Sequence, residues 1–264
     1  MGEPITAHFV VTHVDKKPLN LWYAYPDDLL AEGVEEACAA LLSEEERARA
    51  AKFKFARHAR ESLTSHALAR TALSCYRPLP RQAWQFKSNA YGKPDIDPDC
   101  GLRFNLSNSV GLVVCLVAEE AEVGVDVESC GHAEKIVSLA PDVFSVPERT
   151  QLEALPGVEK LDRAMSLWTL KEAYIKARGM GLALPLDKFS FLFGGAEGIR
   201  LEIDPSLNDD PGRWRFCLLD RAGHRIALMV ERKAAGELDV WEARPVFAPP
   251  ARLSASVAQW FPRA

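Results

Sequence analysis

A chain of 264 residues, 48% hydrophobic and 26% charged, has the balance of an ordinary globular protein and the length of one large domain or two small ones. Its net charge of −5 and pI near 5.8 argue against nucleic acid as the main partner. The longest apolar run, residues 110–118, has a strand's length and is far too short for a bilayer. The opening MGEPITAHFVV lacks the basic start and apolar run of a secretory signal. Six cysteines without C-x-x-C or His-Cys spacing read as reduced thiols, so a cytoplasmic protein without structural zinc is expected.

In chain order, residues 8–14 and 19–25 are β-rich, and Asp27 or Asp28 caps a helix running to about 42. Ser43-Glu44-Glu45-Glu46 has the pattern of a capping box opening the next helix. That helix is basic: Arg47, Arg49, Lys52 and Lys54 precede Arg57 and Arg60. Such a run is an ordinary solvated face, but in an acidic protein it is also the local positive patch that a phosphate-rich ligand needs. A long helix over 58–76 follows, with Leu63, Ala67, Leu68, Ala72 and Tyr76 on its apolar side, ended by Pro78 and Pro80. Residues 84–86 form a short strand, and Tyr91-Gly92-Lys93-Pro94 a turn. The turn is not a Walker loop, because the first glycine and the Ser/Thr after the lysine are missing. Strands at 103–106 and 112–118 flank Ser107-Asn108-Ser109.

Residues 124–128, GVDVE, read as a strand whose alternation puts Asp126 and Glu128 on one face and Val125 and Val127 on the other. Two carboxylates on one face repel unless a cation or hydrogen-bond donors lie between them, and oxygen-only ligands suit a hard ion such as Mg2+. Helices at 133–139 and 147–155 lead to the stretch 165–182, MSLWTLKEAYIKARGMGL. Leu167, Leu170, Tyr174 and Ala177 give it an apolar stripe of helical period, and Gly179 marks its stop. Trp168, Glu172 and Lys176 recur every four residues on a neighbouring face. A glutamate one turn from a lysine is also what any amphipathic helix carries, but Glu172 supplies a third carboxylate for a magnesium site. Strands at 188–193, 199–203, 213–220, 225–231 and 240–246 complete the pattern, the last held to a sheet edge by Pro245, before an irregular tail at 249–264. Both halves run from helices into antiparallel strands without a detectable sequence repeat, which implies an α+β fold.

GVDVE at 124–128 and WTLKEAYIKARGMGL at 168–182, preceded in order by YGKP at 91–94 and FNLSNS at 104–109 and followed by LPLDKFSF at 184–191, resemble the monomeric type of 4′-phosphopantetheinyl transferase that activates peptide synthetases. The resemblance implies a pseudo-dimer of two similar α+β halves with the active site in the cleft between them. The halves are expected at 1–121 and 122–248, with 249–264 as a tail. It implies transfer of the phosphopantetheine arm of coenzyme A to a serine of an apo acyl or peptidyl carrier protein, releasing adenosine 3′,5′-bisphosphate. Asp126, Glu128 and Glu172 would hold Mg2+, Glu172 would take the serine proton, and Lys176 would stabilise or protonate the leaving phosphate. Arg49, with Arg57 and Arg60 less closely aligned, would meet the coenzyme's phosphates together with Lys93, Ser107 and the residue after it. That residue is Asn108 where the family usually has histidine; asparagine donates a hydrogen bond but carries no charge. A weaker grip on coenzyme A, or a pH dependence lacking one ionisation, is therefore expected.

A serine hydrolase lacks G-x-S-x-G, and a nucleotide-dependent oxidoreductase lacks G-x-G-x-x-G. The competing reading is a non-catalytic module that binds coenzyme A or a carrier, encouraged by Asn108 alone. A monomer is expected, with neither nucleic acid nor membrane as partner.

Overall fold

The computed structural model describes residues 19–194, 198–234, 237–243, 251–253 and 260–261. The strand expected at 8–14, Pro245 and most of the tail lie outside these residues.

One succession of elements occurs twice. The first half has strand β1 (Leu19–Ala24), helices α1 (Val34–Ala39), α2 (Glu44–Ala50) and α3 (Ala56–Ser74), a short hairpin β2 (Phe86–Ser88) and β3 (Pro94–Ile96), and a long hairpin β4 (Leu102–Ser109) and β5 (Leu112–Glu119). The second has β6 (Val123–Ser129), helices α4 (Ala133–Ser138), α5 (Ala140–Val143), α6 (Val146–Glu153) and α7 (Gly157–Arg178), a short hairpin β7 (Phe189–Phe193) and β8 (Ile199–Ile203), and a long hairpin β9 (Trp214–Arg221) and β10 (His224–Glu231). β11 (Asp239–Glu242), β12 (Ala251–Leu253) and β13 (Trp260–Phe261) follow.

The larger sheets run β12-β11-β1-β5-β4 and β13-β9-β10-β6, so β1-β5-β4 and β6-β10-β9 have one topology. Glycines at φ 82° (Gly111) and φ 75° (Gly223) turn the two long hairpins. The sheets face each other across Leu21, Tyr23, Val114 and Leu116 on one side and Val125, Val127, Ile226 and Leu228 on the other. α3 covers the outer face of the first sheet with Leu68 and Ala72 on Trp22, Val113 and Cys115. α7 covers that of the second with Ala173, Tyr174 and Ala177 on Phe216, Ala227 and Met229. The result is four layers, helix–sheet–sheet–helix.

The duplication leaves a trace in the sequence after all. Ser43 and Glu46 form the expected capping box, and Ser145 and Glu148 form a second one at the start of α6. An arginine follows each glutamate: Arg47 donates to Leu42 O at 2.6 Å and Arg149 to Phe144 O at 2.7 Å, each at the close of the preceding segment. Each glutamate also reaches a cation on the long helix, Glu46 to Arg70 and Glu148 to Lys171, both at 2.7 Å. The word S-x-x-E-R is thus the repeat that pattern reading overlooked.

Three expectations change. The helix expected from Asp27 or Asp28 to 42 is divided, because Gly33 takes a left-handed φ of 76° between a 3-10 turn at Pro26–Leu30 and α1. β11, expected as an edge in the second half, lies inside the first sheet, parallel to β1 and flanked by β12. Within the tail, β12 pairs with β11 and β13 with β9. Among the described residues no helix is long and apolar enough to cross a membrane.

Burial alone would raise the Glu46 carboxyl, but hydrogen bonds from His66 and the Ser43 N–H, with the charge of Arg70, hold it at about 2 against an ordinary 4.5. A depressed folded pKa stabilises fully above the unfolded value and loses that stability as pH falls toward the folded one. Glu46 therefore contributes at most about 3 kcal/mol at neutral pH, lost between roughly pH 4.5 and 2. Thermal melts of wild type and Glu46→Gln should differ most near pH 7 and converge toward pH 2; a gap constant with pH would refute the ion-pair account.

Candidate active site at the seam between the halves

β4 and β6 are the inner edges of their sheets, and side chains join them. Asn105 Oδ1, Ser107 Oγ and Ser109 Oγ accept the N–H groups of Val125, Val127 and Ser129 at 2.9, 3.3 and 3.1 Å. Residues 105, 107 and 109 share one face of β4 because strand side chains alternate. The buried N–H groups of β6 are thereby satisfied without a backbone partner on that edge.

The same alternation turns Val125 and Val127 into the core between the sheets and Asp126 and Glu128 away from it. Gly124 brings α7 against β6: a Cβ there would lie 2.0 Å from Ala173 O and 2.4 Å from Ala177 N. Those contacts are one residue from Glu172 and Lys176, and so set both side chains over the strand.

Lys176 Nζ donates to Asp126 Oδ1 at 2.6 Å and to Ser107 Oγ at 2.7 Å, and Ser107 Oγ donates to Asp126 Oδ1 at 2.9 Å. Asp126 Oδ2 is buried without a hydrogen-bond partner. Glu128 Oε1 accepts from Ser109 Oγ at 2.9 Å and Ser129 N at 3.0 Å, and pairs with His132 Nδ1 at 2.6 Å. Burial pushes the Asp126 carboxyl up despite Lys176. Burial, then the charges of Asp126 and Glu128, push Glu172 up, with Lys176 opposing. Three carboxylates near enough to perturb one another thus gather around one ammonium at the seam.

Its oxygen-only donors have the chemistry of a hard cation's site, and the orphaned Asp126 Oδ2 is an acceptor awaiting a partner. As the side chains stand, no group of three acidic, histidine or cysteine residues among those described is gathered closely enough to hold a metal. Lys176 takes one Asp126 oxygen, and Glu128 is turned to Ser109 and His132. In kind, though not as gathered here, the carboxylates of Asp126, Glu128 and Glu172 fit a magnesium ion.

Ser107, Asp126, Glu128, Glu172 and Lys176 thus converge. The others stand apart. Arg49, 63% exposed, pairs with Glu45 on its own helix, and Arg57, 53% exposed, with Glu61. Asn108 is exposed, on the opposite face of β4 from Ser107 and Ser109. Lys93 donates to Glu122 Oε2, Ala177 O and Val123 O at 2.9, 3.1 and 3.2 Å, which occupies all its N–H groups.

Sequence reading passed over Asn105 and Ser109, although their two-residue spacing with Ser107 signals a shared face. It also passed over Lys171, wholly buried beside Glu172 and donating to Glu148 Oε2 and Phe189 O at 2.7 and 2.8 Å. This pair ties α7 to α6 and β7.

Residues 122–229 match the family description "4'-phosphopantetheinyl transferase superfamily", and residues 32–121 match "4'-phosphopantetheinyl transferase, N-terminal". A 4'-phosphopantetheinyl transferase of Bacillus subtilis is 32% identical over 172 residues, 65% of this chain and 75% of the relative. HetI of Nostoc sp. is 33% identical over 171 residues, 64% of this chain and 72% of its own. Sfp of Bacillus subtilis strain 168 is 32% identical over 188 residues, 71% of this chain and 83% of its own. A solved holo-(acyl-carrier-protein) synthase from Bacillus anthracis, in complex with CoA (3',5'-ADP), aligns over 42% of this chain and 94% of its own at 16% identity, with a TM-score of 0.36.

Gly124→Ala should destabilise the protein by about 3 kcal/mol or more, because backbone atoms of α7 must move to admit the methyl group. Denaturant unfolding measures this, and an unchanged midpoint would show that β6 and α7 are not pressed together there.

Proposed function

Because the chain belongs to the 4′-phosphopantetheinyl transferase family, we propose that it moves the phosphopantetheine arm of coenzyme A onto a serine of an apo acyl or peptidyl carrier protein, with Asp126, Glu128, Glu172 and Lys176 as its machinery. The observation that carries the residue assignment is the convergence of β6 carboxylates, α7 side chains and Ser107 on one seam.

In the reaction the carrier serine Oγ bonds to the phosphorus bearing the pantetheine arm, and the bond from that phosphorus to the bridging pyrophosphate oxygen breaks. The serine proton goes to a base, and adenosine 3′,5′-bisphosphate leaves with the bridging oxygen. Glu172 is proposed as the base: it lies half-buried on α7, and its raised proton affinity favours accepting a hydroxyl proton. Lys176 is proposed to face the leaving phosphate, since its ammonium already neutralises an anionic oxygen at the seam. Asp126, Glu128 and Glu172 would hold Mg2+, which when bound would offset the charge gathering on the pyrophosphate. Arg49 and Arg57, exposed on the first half, are proposed to meet the coenzyme's phosphates.

We further propose that the protein works in the cytoplasm as a monomer. Its six cysteines are all unpaired, as a reducing compartment would keep them, and burial pushes the Cys38 thiol up to about 12, which makes it inert. The alternative, a module that binds coenzyme A or a carrier protein without transfer, is favoured by the uncharged Asn108 alone.

Intact-mass measurement of several apo carriers, incubated with the protein, coenzyme A and Mg2+ with and without chelator, tests the reaction. A magnesium-dependent gain of one phosphopantetheine arm is expected, and Asp126→Ala or Glu172→Ala should cut it by roughly 100-fold or more while keeping wild-type circular dichroism. Retained turnover in either variant would sink the site assignment; bound coenzyme A with no gain on any carrier would favour the module.

Burial raises the proton affinity of the Asp126 and Glu172 carboxyls, so protons compete with magnesium for them as pH falls. Calorimetry without coenzyme A should therefore show Mg2+ affinity falling with pH from above the ordinary carboxylate range, with proton uptake by the buffer. Binding independent of pH from 7 down to 5 would contradict it.

A further inference from the structure

The turn joining β2 to β3 belongs to the first half, yet it grips the end of the helix that carries Glu172 and Lys176. Asn89 Oδ1 accepts the N–H groups of Tyr91 and Lys93 at 2.9 and 3.0 Å, which folds the turn over Gly92 at φ 88°. The amide nitrogen of the same side chain donates to Gly179 O at 2.7 Å. The folded turn delivers the Lys93 ammonium to Ala177 O at 3.1 Å.

The last carbonyls of a helix have no acceptor role within it, and a cation there also faces the negative end of the helix dipole. Gly179 ends α7 at φ 63°, and a Cβ on it would lie 3.0 Å from Lys93 Cδ and 3.1 Å from Asn89 Nδ2. Helix stop and turn are therefore fitted to each other. Between the gripped carbonyls and Glu172 lies Lys176, whose Nζ sits 2.6 Å from Asp126 Oδ1.

We propose that Asn89 is a positioning residue for the transfer: it folds residues 89–94 into a clasp that fixes the last turn of α7 and, through it, the placement of Lys176. The proposal rests on the reading that Lys176 serves the transfer. Asn89 touches neither Asp126 nor Lys176, so its influence passes through the Gly179 and Ala177 carbonyls.

Two variants of the full chain separate the clasp from its rivals. Asn89→Ala removes both the turn acceptor and the helix cap. Asn89→Asp keeps the acceptor for Tyr91 and Lys93 N–H but sets a carboxylate oxygen against Gly179 O, so the turn forms and the cap is lost. With a carrier that the wild type modifies, both variants should lower kcat by roughly 10- to 100-fold. KM for coenzyme A should move by no more than about threefold. Amide hydrogen exchange should quicken over residues 176–180 and stay unchanged in β9 and β10. A loss carried by KM with kcat kept would make Asn89 a binding residue and overturn the proposal. So would lowered thermal stability with kcat and exchange at 176–180 unchanged. Absence of transfer by the wild type overturns the function itself, and the catalytic use of the clasp with it; unchanged exchange in Asn89→Ala beside an active wild type overturns the clasp alone.

Discussion

Three short side chains of β4 join the inner edges of the two sheets and stand in for a strand. Had β4 and β6 joined by a backbone ladder, the two sheets would be one, and the carboxylate face of β6 would have backbone N–H and C=O groups beside it. Asn105, Ser107 and Ser109 instead satisfy the N–H groups of β6 with atoms that have valence to spare. The Ser107 and Ser109 hydroxyls, having accepted from β6, go on to donate to Asp126 and Glu128. One set of bonds thus joins the two sheet edges and aims both carboxylates. The seam is also why the site needs both halves: β4 and β6 come from opposite sides of the duplication.

The duplication is one of scaffold: the carboxylates and the lysine at the seam come from the second copy alone. Strand register places Trp22 opposite Cys115 in the first half where Asp126 stands opposite Ala227 in the second. Buried Trp22 stacks on Trp241, with ring centroids 5.4 Å apart, so an aromatic layer fills the place corresponding to the carboxylate. On the long helices, Arg70 and Lys171 make equivalent ion pairs, but the next residue is buried Thr71 in one and Glu172 in the other. What both copies keep is what the fold needs: a capping box whose glutamate reaches across to the long helix. A buried pair of this kind contributes less through its own attraction than it would cost to leave one partner behind uncompensated, which is reason enough for both to persist.

How much could be read from the sequence followed from how local each cause was. α7 and β6 were legible because helical and strand periods act over a few residues, and Asp126, Glu128, Glu172 and Lys176 came with them. The Gly179 stop was legible for the same reason, since a left-handed residue needs no distant partner. Ser109 and Asn105 were not, because a polar strand face looks alike whether it meets water or another strand. Lys171 was hidden by its neighbour: a lysine beside a glutamate reads as a solvated pair, and only the fold shows the lysine buried against Glu148. The place of β11 was beyond any local rule, because its parallel partner lies at the other end of the chain.

That distant pairing interlaces the halves in time as well as space. β1 has β5 on one side, but its other edge is filled by β11, with Trp241 Nε1 donating to Asn20 Oδ1 at 2.7 Å and Tyr23 Oη to Glu242 Oε2 at 2.5 Å. A chain made from its N-terminus outward has β1 through β5 in hand long before residues 239–242 exist. Throughout that interval the nascent first sheet presents an open, largely apolar strand edge, the kind of surface on which wrong pairing begins. β11 and β12, made long after the strands they join, thus close the first sheet, and until then the guarding of that edge falls on the ribosome and whatever attends the emerging chain.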